Sequence, residues 1–590
     1  MLIAGLVLRL LGANDVSNWL LCIGTLLGTL PVAVGMVREI MSGKIGVDII
    51  AITAILSALA LQEYWAAAVV LFMLTSGEAL EAYAQERART ELTALLKRSP
   101  KLAHRKRGRE LEEITVAQIR VHDTLIIKPG ETIPADGTVH RGTSNLDESA
   151  LTGESMPVSV KPGSEVLSGA INEDELLEIT VARSAKDSQY EQIVELVRQA
   201  ASNRSPLVRL ADRFSIPFTL ITFTIAGLAW YCTGLPVRAL EVLVVATPCP
   251  LLIATPVAIV AGMSRSARHG IIVKDGGALE ILSRVHTMAF DKTGTLTRGE
   301  PSIEKIETIS ISQAEALRLA ASVELGSTHI FAEVITKAAK ARRLKPYAVS
   351  HLEEIPGRGV MARVQGTTIM VGNYAWLKSQ KVRNLQRLGH GSSTDVFIAR
   401  TGRLVGRISF RDSLRPETRS TLDKLAQLGI RQRLMLTGDT DKVAQHIATE
   451  AGISKVYSQL LPQDKLSTLQ KLPKSLRPVA MVGDGINDAP TLAAADVGIA
   501  LGARGSTAAS ESAGIVIMRD DLTRVPLAVE ISQRTVSIAL GSIYFGIGVS
   551  TVLMLIAAIG GIRPVVGTIL QEGLDVIVIL NALRARHGKR

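Results

Sequence analysis

Seven residues, Asp291-Lys292-Thr293-Gly294-Thr295-Leu296-Thr297, follow the apolar run Met288-Ala289-Phe290. Such a run reads as the end of a buried strand. A carboxylate there stands at the carboxyl end of a parallel strand, where open α/β sheets hold their ligands. An aspartate so exposed can attack a phosphoryl group and carry it as an acyl phosphate. Two further apolar runs end in the same manner, Leu434-Met435-Leu436 at Thr437-Gly438-Asp439 and Pro478 to Val482 at Gly483 to Asp488 (GDGIND), with Lys465 between them. Phosphoryl transfer needs charge neutralisation more than covalent help, so a Mg²⁺ ion and a lysine are expected beside the nucleophile. Hard Mg²⁺ takes oxygen ligands, which points to Asp291, Asp484 and the backbone of Thr293. Lys465 and the Thr437 hydroxyl are expected on the phosphoryl oxygens, with Asn487 and Asp488 ordering the ligands.

A second set of reactive types sits in apolar surroundings. Thr247-Pro248-Cys249-Pro250 and then Pro256 interrupt one apolar stretch. Prolines on both sides of a cysteine break the helical ladder and free backbone carbonyls, which a membrane tolerates where they line a site. Gln571, Glu572, Asp575 and Asn581 fall in another apolar stretch, with 571 and 575, and 572 and 575, on one helix face. Carboxylates inside a membrane are costly and functional by default. One thiolate with carboxylate and amide oxygens makes a borderline site suited to a divalent first-row metal.

The elements that must position these residues follow from length and hydropathy. The chain has 590 residues, too many for one core, and 47% are apolar. Mean hydropathy is +0.27 and the apolar residues come in blocks, the pattern of a membrane protein with soluble insertions. Stretches near 17–37, 45–61, 64–84, 214–234, 238–262, 536–560 and 564–583 are long enough for membrane helices. A shorter run, Leu2 to Leu11, reads as a clipped span or an interfacial stub. Arg38 and Lys44 follow the 17–37 span, while the Gln62-Glu63 loop carries no base, so the insertions are expected in the cytoplasm. The net charge of +11 is explained by basic cytoplasmic loops such as Lys97 to Arg109, and nucleic acid is not expected as a partner. Cys22, Cys232 and Cys249 all lie in apolar segments, which excludes a disulfide framework. Membrane helices are expected at 1–85, 206–263 and 536–590 and a β-rich domain at 86–205. An α/β domain in two pieces, 264–300 and 409–535, is expected around an insertion at 301–408.

DKTGTLT, with TGD, PQDK and GDGIND behind it, resembles the phosphorylation site of the P-type ATPases, ion pumps that pass through an aspartyl phosphate. The resemblance implies an α-helical transmembrane bundle with a β-rich actuator domain and an α/β haloacid-dehalogenase-like phosphorylation domain carrying an inserted α+β nucleotide-binding domain. Thr152-Gly153-Glu154-Ser155, after KPGETIPADG (128–137), then corresponds to the dephosphorylation loop, with Glu154 acting on the hydrolytic water. Glu324, His329 and Gly357-Arg358-Gly359 correspond to the residues around adenine in the heavy-metal branch, although Ile330 replaces the proline after the histidine. The copper-pump pattern Cys-Pro-Cys has Thr247 in place of its first cysteine, and the 536–560 span lacks the lysine of zinc and cadmium pumps. Thr-Pro-Cys with Gln571-Glu572 and Asp575 is similar to a smaller subgroup associated with nickel, cobalt or iron.

The reading is therefore an integral-membrane ATPase, using ATP and Mg²⁺, that exports a transition-metal cation across a bacterial plasma membrane as a monomer. Cys249, Thr247, Gln571, Glu572 and Asp575 are the expected ligands of the transported ion. A membrane-anchored phosphatase on the same α/β core needs neither the TGES loop nor the proline-broken cysteine helix. The ATPase subunit of a potassium pump would leave the cysteine without purpose, and a metal sensor would not need the phosphorylation site.

Overall fold

The computed structural model describes residues 1–41, 48–88, 102–108, 110–148, 157–184, 188, 191, 194–195, 208–246, 249–325, 327, 330–355, 358–388, 395–439, 441–484, 488–502 and 507–588. The chain forms two compact units, one of residues 1–289, 423–433 and 462–590, the other of 290–422 and 434–461.

The first unit contains the apolar helices. Five are long and apolar enough to cross a membrane among the described residues: Asn14–Val37, Tyr64–Ala84, Ile216–Thr233, Arg524–Ala558 and Pro564–Arg586. Ile49–Ala60 is shorter, and the opening run forms the nine-residue helix Leu2–Leu10. Large side chains such as Leu26, Leu27, Leu30, Tyr231, Ile569 and Ile577 are exposed on the outer faces, while small residues such as Ala54, Ala58, Ala66 and Ala246 fill the interior. Apolar faces of that extent need a hydrocarbon solvent. The stretch expected as one span at 238–262 is two helices, Pro236–Val245 and Cys249–Arg268. The last amide of the first bonds its own turn, Ala246 N to Leu243 O at 3.3 Å, which closes the helix before the proline-rich segment.

The first unit also carries the β-rich domain and part of the α/β core. Strands Glu110–Thr115, Leu102–Arg107, Thr124–Ile127, Leu177–Val181, Gly137–Arg141 and Glu165–Val166 form one antiparallel sheet in that order. Alternation drives it: Leu177, Ile179 and Val181 point inward and Glu178 outward, the pattern of a strand buried on one face. In the core, Val479–Gly483, Val497–Leu501 and Ile515–Ile517 pair in parallel, with Ile271–Val273 antiparallel at the edge. All four are buried along their whole length, as a sheet covered on both faces requires.

The second unit holds a six-stranded antiparallel sheet, ordered Thr297–Thr308, Arg403–Leu414, Asp395–Arg400, Thr367–Gly372, Gly359–Val364 and Val349–Ile355. Helices Gln313–Glu324 and Ile330–Ala341 bury Leu317, Ala320, Val323, Ile335 and Ala339 against it. The insertion expected at 301–408 begins and ends inside its two longest strands, which pair from Thr297 with Leu414 to Thr308 with Gly406. The junctions expected at 263/264 and 535/536 likewise fall inside continuous helices, Cys249–Arg268 and Arg524–Ala558. These expected boundaries therefore fall within regular elements rather than in loops.

Candidate functional site

Strand Thr287–Asp291 is buried throughout, and its final carboxylate is 5% exposed. Directly after it the chain turns through Gly294 at φ 72°, a left-handed conformation that glycine adopts without a Cβ clash. The turn is held from below by the segment Asp412 to Thr418. Arg415, itself buried, donates from Nη2 to the Gly294 carbonyl at 2.7 Å and from Nε to the Thr297 carbonyl at 3.2 Å. Its backbone amide and the Thr418 hydroxyl both donate to the Leu296 carbonyl, at 3.0 and 2.8 Å. Thr297 Oγ1 donates to Asp412 Oδ2 at 2.6 Å. Lys292 Nζ stands 2.7 Å from Asp439 Oδ2 and 3.9 Å from Asp412 Oδ2. Thr437, buried at the end of strand Gln432–Leu436, is anchored by its amide to the Tyr457 carbonyl at 2.9 Å. Neither Asp412 nor Arg415 was expected from the motif reading. The signal that could have found them is Asp-Ser-Leu-Arg-Pro just before a helix, a polar cluster closing a strand.

Asp484 and Lys465 belong to the first unit. Asp484 follows the buried strand Val479–Gly483 and is half-buried. Lys465 Nζ pairs with Asp488 Oδ1 at 2.8 Å, both side chains buried. That pairing neutralises Asp488 and fixes the ammonium close to the strand end, since a Cβ on Gly483 would lie 3.3 Å from Asp488 Oδ2. Lysine, glycine and aspartate thus form one packed corner next to Asp484.

In the second unit a cavity of about 150 Å³ opens between helix Gln313–Glu324 and the sheet, lined by Glu324, Phe331, Glu354, Gly359, Asn373 and Asp395. Gly359 and Gly372 face each other across two strands, and a Cβ on either would strike the Trp376 ring and the backbone. Glycine at both positions lets the strands lie flat against Trp376. Glu324 is 7% exposed and its Oε2 has no hydrogen-bond partner among the described residues. Burial pushes its carboxyl up to about 7, with Ser327 opposing and Glu354 reinforcing the shift. The sequence reading missed Glu354, Asn373 and Asp395, which are distant in sequence and carry no motif.

Three of the residues expected as ion ligands, Gln571, Glu572 and Asp575, lie on one helix of the first unit. Helix Pro564–Leu583 buries Gln571, Leu574, Asp575 and Val578 on one face. Leu574 and Val578 pack on Ala254 of helix Cys249–Arg268. Gln571 is fully buried with its Oε1 3.5 Å from the Ser550 hydroxyl, and Glu572 Oε1 is 3.4 Å from the Ser76 hydroxyl. Glu572 Oε2 is buried with no hydrogen-bond partner among the described residues. Ser76 and Ser550, which the sequence did not single out, are the residues that contact Glu572 and Gln571. Among the described residues no three His, Cys, Asp or Glu side chains converge tightly enough to hold a metal by themselves. Glu154, Thr247, His329, Gly357 and Asn487 lie outside the described residues, and of Cys249 only the backbone is described.

A model of the haloacid dehalogenase-like hydrolases matches residues 285–496, and one of the P-type ATPase actuator domain matches 97–198. Together with the apolar helices these define the class of phosphorylating ion pumps. A cadmium-transporting ATPase of Staphylococcus aureus is 35% identical over 91% of this chain and 77% of its own length. A zinc-transporting ATPase of Bacillus subtilis is 35% identical over 93% of this chain and 88% of its own length. The crystal structure of a zinc-transporting PIB-type ATPase in the E2.Pi state aligns at a TM-score of 0.66 and 31% identity, covering 99% of both chains. The chain belongs to the heavy-metal, PIB-type branch of the P-type ATPases. It is an ATP-driven metal transporter, a multi-pass membrane protein with cytosolic catalytic domains.

Proposed function

We propose that the chain exports a divalent transition-metal ion from the cytosol, with nickel, cobalt or iron(II) ahead of zinc and manganese, and copper(I) last. The supporting observation is the oxygen-rich face of helix Pro564–Leu583, where Gln571 and Asp575 are buried beside the helix that begins at Cys249. A single thiol with oxygen donors suits harder, higher-coordinate ions, whereas copper(I) selects paired soft thiolates. Zinc or cadmium is the second reading, favoured by the names of the relatives.

The proposed catalytic cycle assigns each expected residue a role. The Asp291 carboxylate attacks the terminal phosphoryl group of ATP; a carboxylate–phosphorus bond forms and ADP leaves with the bridging oxygen. Lys465 and the Thr437 hydroxyl bind the phosphoryl oxygens. Asp291, Asp484 and the Thr293 carbonyl are oxygen donors of the kind Mg²⁺ takes and would hold it, and the ion would supply charge neutralisation. Lys292, paired with Asp439 and Asp412, keeps the acidic cluster below the nucleophile from repelling an incoming polyanion. Glu324, His329, Gly357 and Gly359 hold the nucleotide. Glu154 orients the water that hydrolyses the phosphoenzyme. The monomer is the working unit.

ATPase activity of the purified full chain across a panel of metal ions tests the metal reading. Strongest stimulation by nickel, cobalt or iron(II) is expected. Strongest stimulation by zinc or cadmium selects the second reading, and by copper(I) overturns both.

A further inference from the structure

At the cytosolic end of the helix bundle two arginines share one patch. Arg265 lies in the last turn of helix Cys249–Arg268, which leads directly into strand Ile271–Val273 of the α/β core. It is 7% exposed, and its Nη1 is buried with no hydrogen-bond partner among the described residues. Arg534, near the start of helix Arg524–Ala558, donates from Nη2 to the Gly588 carbonyl at 3.2 Å, while its buried Nε has no partner among the described residues. A Cβ on Gly588 would lie 3.5 Å from Arg265 Nη2, so both guanidinium groups flank the same residue. The turn Arg584–Arg586 holds that residue in position, with Ala585 buried against Val257, Ala258 and Ala539.

The electrostatics of the patch do not close. Arg265 and Arg534 repel each other, and Glu530 opposes that repulsion only from beyond ion-pair distance. Neither arginine forms an ion pair among the described residues. The following residues in the sequence, Lys589 and Arg590, are of the same sign. A buried guanidinium with unsatisfied donors is costly unless an anion completes it. Arginine's planar fork matches the oxygens of a phosphate, and basic pockets between membrane helices on the cytosolic side are where anionic headgroups bind.

We propose that Arg265 and Arg534 form a phosphate site for the headgroup of an anionic lipid of the cytosolic leaflet, fixing the cysteine-bearing helix to the last two membrane helices. An excess of basic residues on cytosolic loops needs no such site. What requires one is the burial of donors without acceptors. The full chain, reconstituted in phosphatidylcholine with or without phosphatidylglycerol, tests this through the midpoint of thermal unfolding and through lipid retained in native mass spectrometry. Phosphatidylglycerol is expected to raise the midpoint of the wild type and to stay bound. Both effects should be lost in Arg265→Gln and in Arg534→Gln, and partly restored in Arg265→Lys. Should Arg265→Gln not fold, the Arg534→Gln protein decides the matter by itself. Equal shift and retention in the glutamine variants would overturn the site. A midpoint shift produced by inorganic phosphate in phosphatidylcholine alone would overturn the lipid as its source.

Discussion

The turn after Asp291 and the proposed ion site on helix Pro564–Leu583 are both buried and both carry oxygen donors, yet the contacts that hold those donors differ in length. Around residues 291–297 the side-chain contacts are short, 2.6 Å from Thr297 to Asp412, 2.7 Å from Arg415 to Gly294 and 2.7 Å from Lys292 to Asp439, although Thr295 Oγ1 and Asp412 Oδ1 are buried with no hydrogen-bond partner among the described residues. On helix Pro564–Leu583 the contacts from Ser76 to Glu572 and from Ser550 to Gln571 are longer, 3.4 and 3.5 Å, and Glu572 Oε2 has no hydrogen-bond partner among the described residues, while Asn581 on the same helix donates to Ser542 at 2.8 Å. A site that performs the same bond change in every cycle gains from fixed geometry. A site that must take up and release a cation gains from oxygens that are not already committed, at a cost in stability. On the proposed reading, short fixed contacts at the turn and longer ones beside Gln571 and Glu572 answer these two requirements.

The largest effect should come from the nucleophile. Asp291→Asn is expected to abolish the acid-stable, hydroxylamine-labile phosphoprotein formed with labelled ATP and Mg²⁺. Label persisting in that variant would mean that another residue carries the phosphoryl group. Next, the comparison itself can be broken with a pair of stability measurements. Asp412→Ala removes one acceptor of the Thr297 hydroxyl and the second carboxylate beside Lys292, and should cost about 2 kcal/mol of unfolding free energy. Glu572→Gln removes an incompletely satisfied carboxylate and should fall within about 1 kcal/mol of the wild type or above it. Glu572→Gln should at the same time weaken metal-stimulated turnover while keeping phosphorylation from inorganic phosphate. If Glu572→Gln were the more destabilising of the two, the contrast between the sites would be wrong.

How legible each region was in the sequence follows from the same contrast. The nucleophile turn is contiguous: a buried strand, its terminal carboxylate and the glycine of the turn occupy neighbouring positions, so Asp291 could be read directly. Its support could not, because Asp412 and Arg415 reach it from more than a hundred positions along the chain, and Arg415 acts on backbone carbonyls, which leave no mark on the residue types it binds. The helical face with Gln571 and Asp575 was legible from spacing, but Ser76 and Ser550 are ordinary helix residues until packing brings them to it. The long strand pair and long helices that run through the expected domain junctions were hidden for another reason. Composition changes at a junction, whereas a hydrogen-bonded element need not stop there.

Arg415 offers a sharper test of pre-organisation than the nucleophile does. It holds the carbonyls of Gly294 and Thr297 and so sets the path of the turn. Arg415→Met keeps the aliphatic stem and removes the donors. The rate of phosphorylation at saturating ATP should fall by about 10²-fold, the scale expected when a reacting group is misplaced by about 1 Å. The nucleotide concentration for half-saturation should stay near the wild-type value, since the cavity at Glu324 is untouched. A rise in that concentration with an unchanged rate would assign Arg415 to nucleotide binding instead.

The smallest effect concerns Glu324. Its carboxyl is raised to about 7 because ionisation would leave a charge in a buried pocket. For a raised carboxyl the folded state holds the proton more tightly than the unfolded chain, so the stability from this group is complete at acid pH and is lost as pH climbs toward 7. The same proton makes Glu324 a hydrogen-bond donor, and on the proposed reading a ring nitrogen of the bound nucleotide is its acceptor. ATP affinity should therefore fall as pH rises through about 7, by at most about tenfold per pH unit. ATP changes its own ionisation in this range, so the comparison is with Glu324→Gln, whose amide donates at every pH. Isothermal titration of the full chain at a series of pH values should show a steeper decline for the wild type than for the variant. Parallel profiles would mean that Glu324 meets the nucleotide in its charged form or not at all, and that its burial serves the packing of helix Gln313–Glu324 rather than recognition.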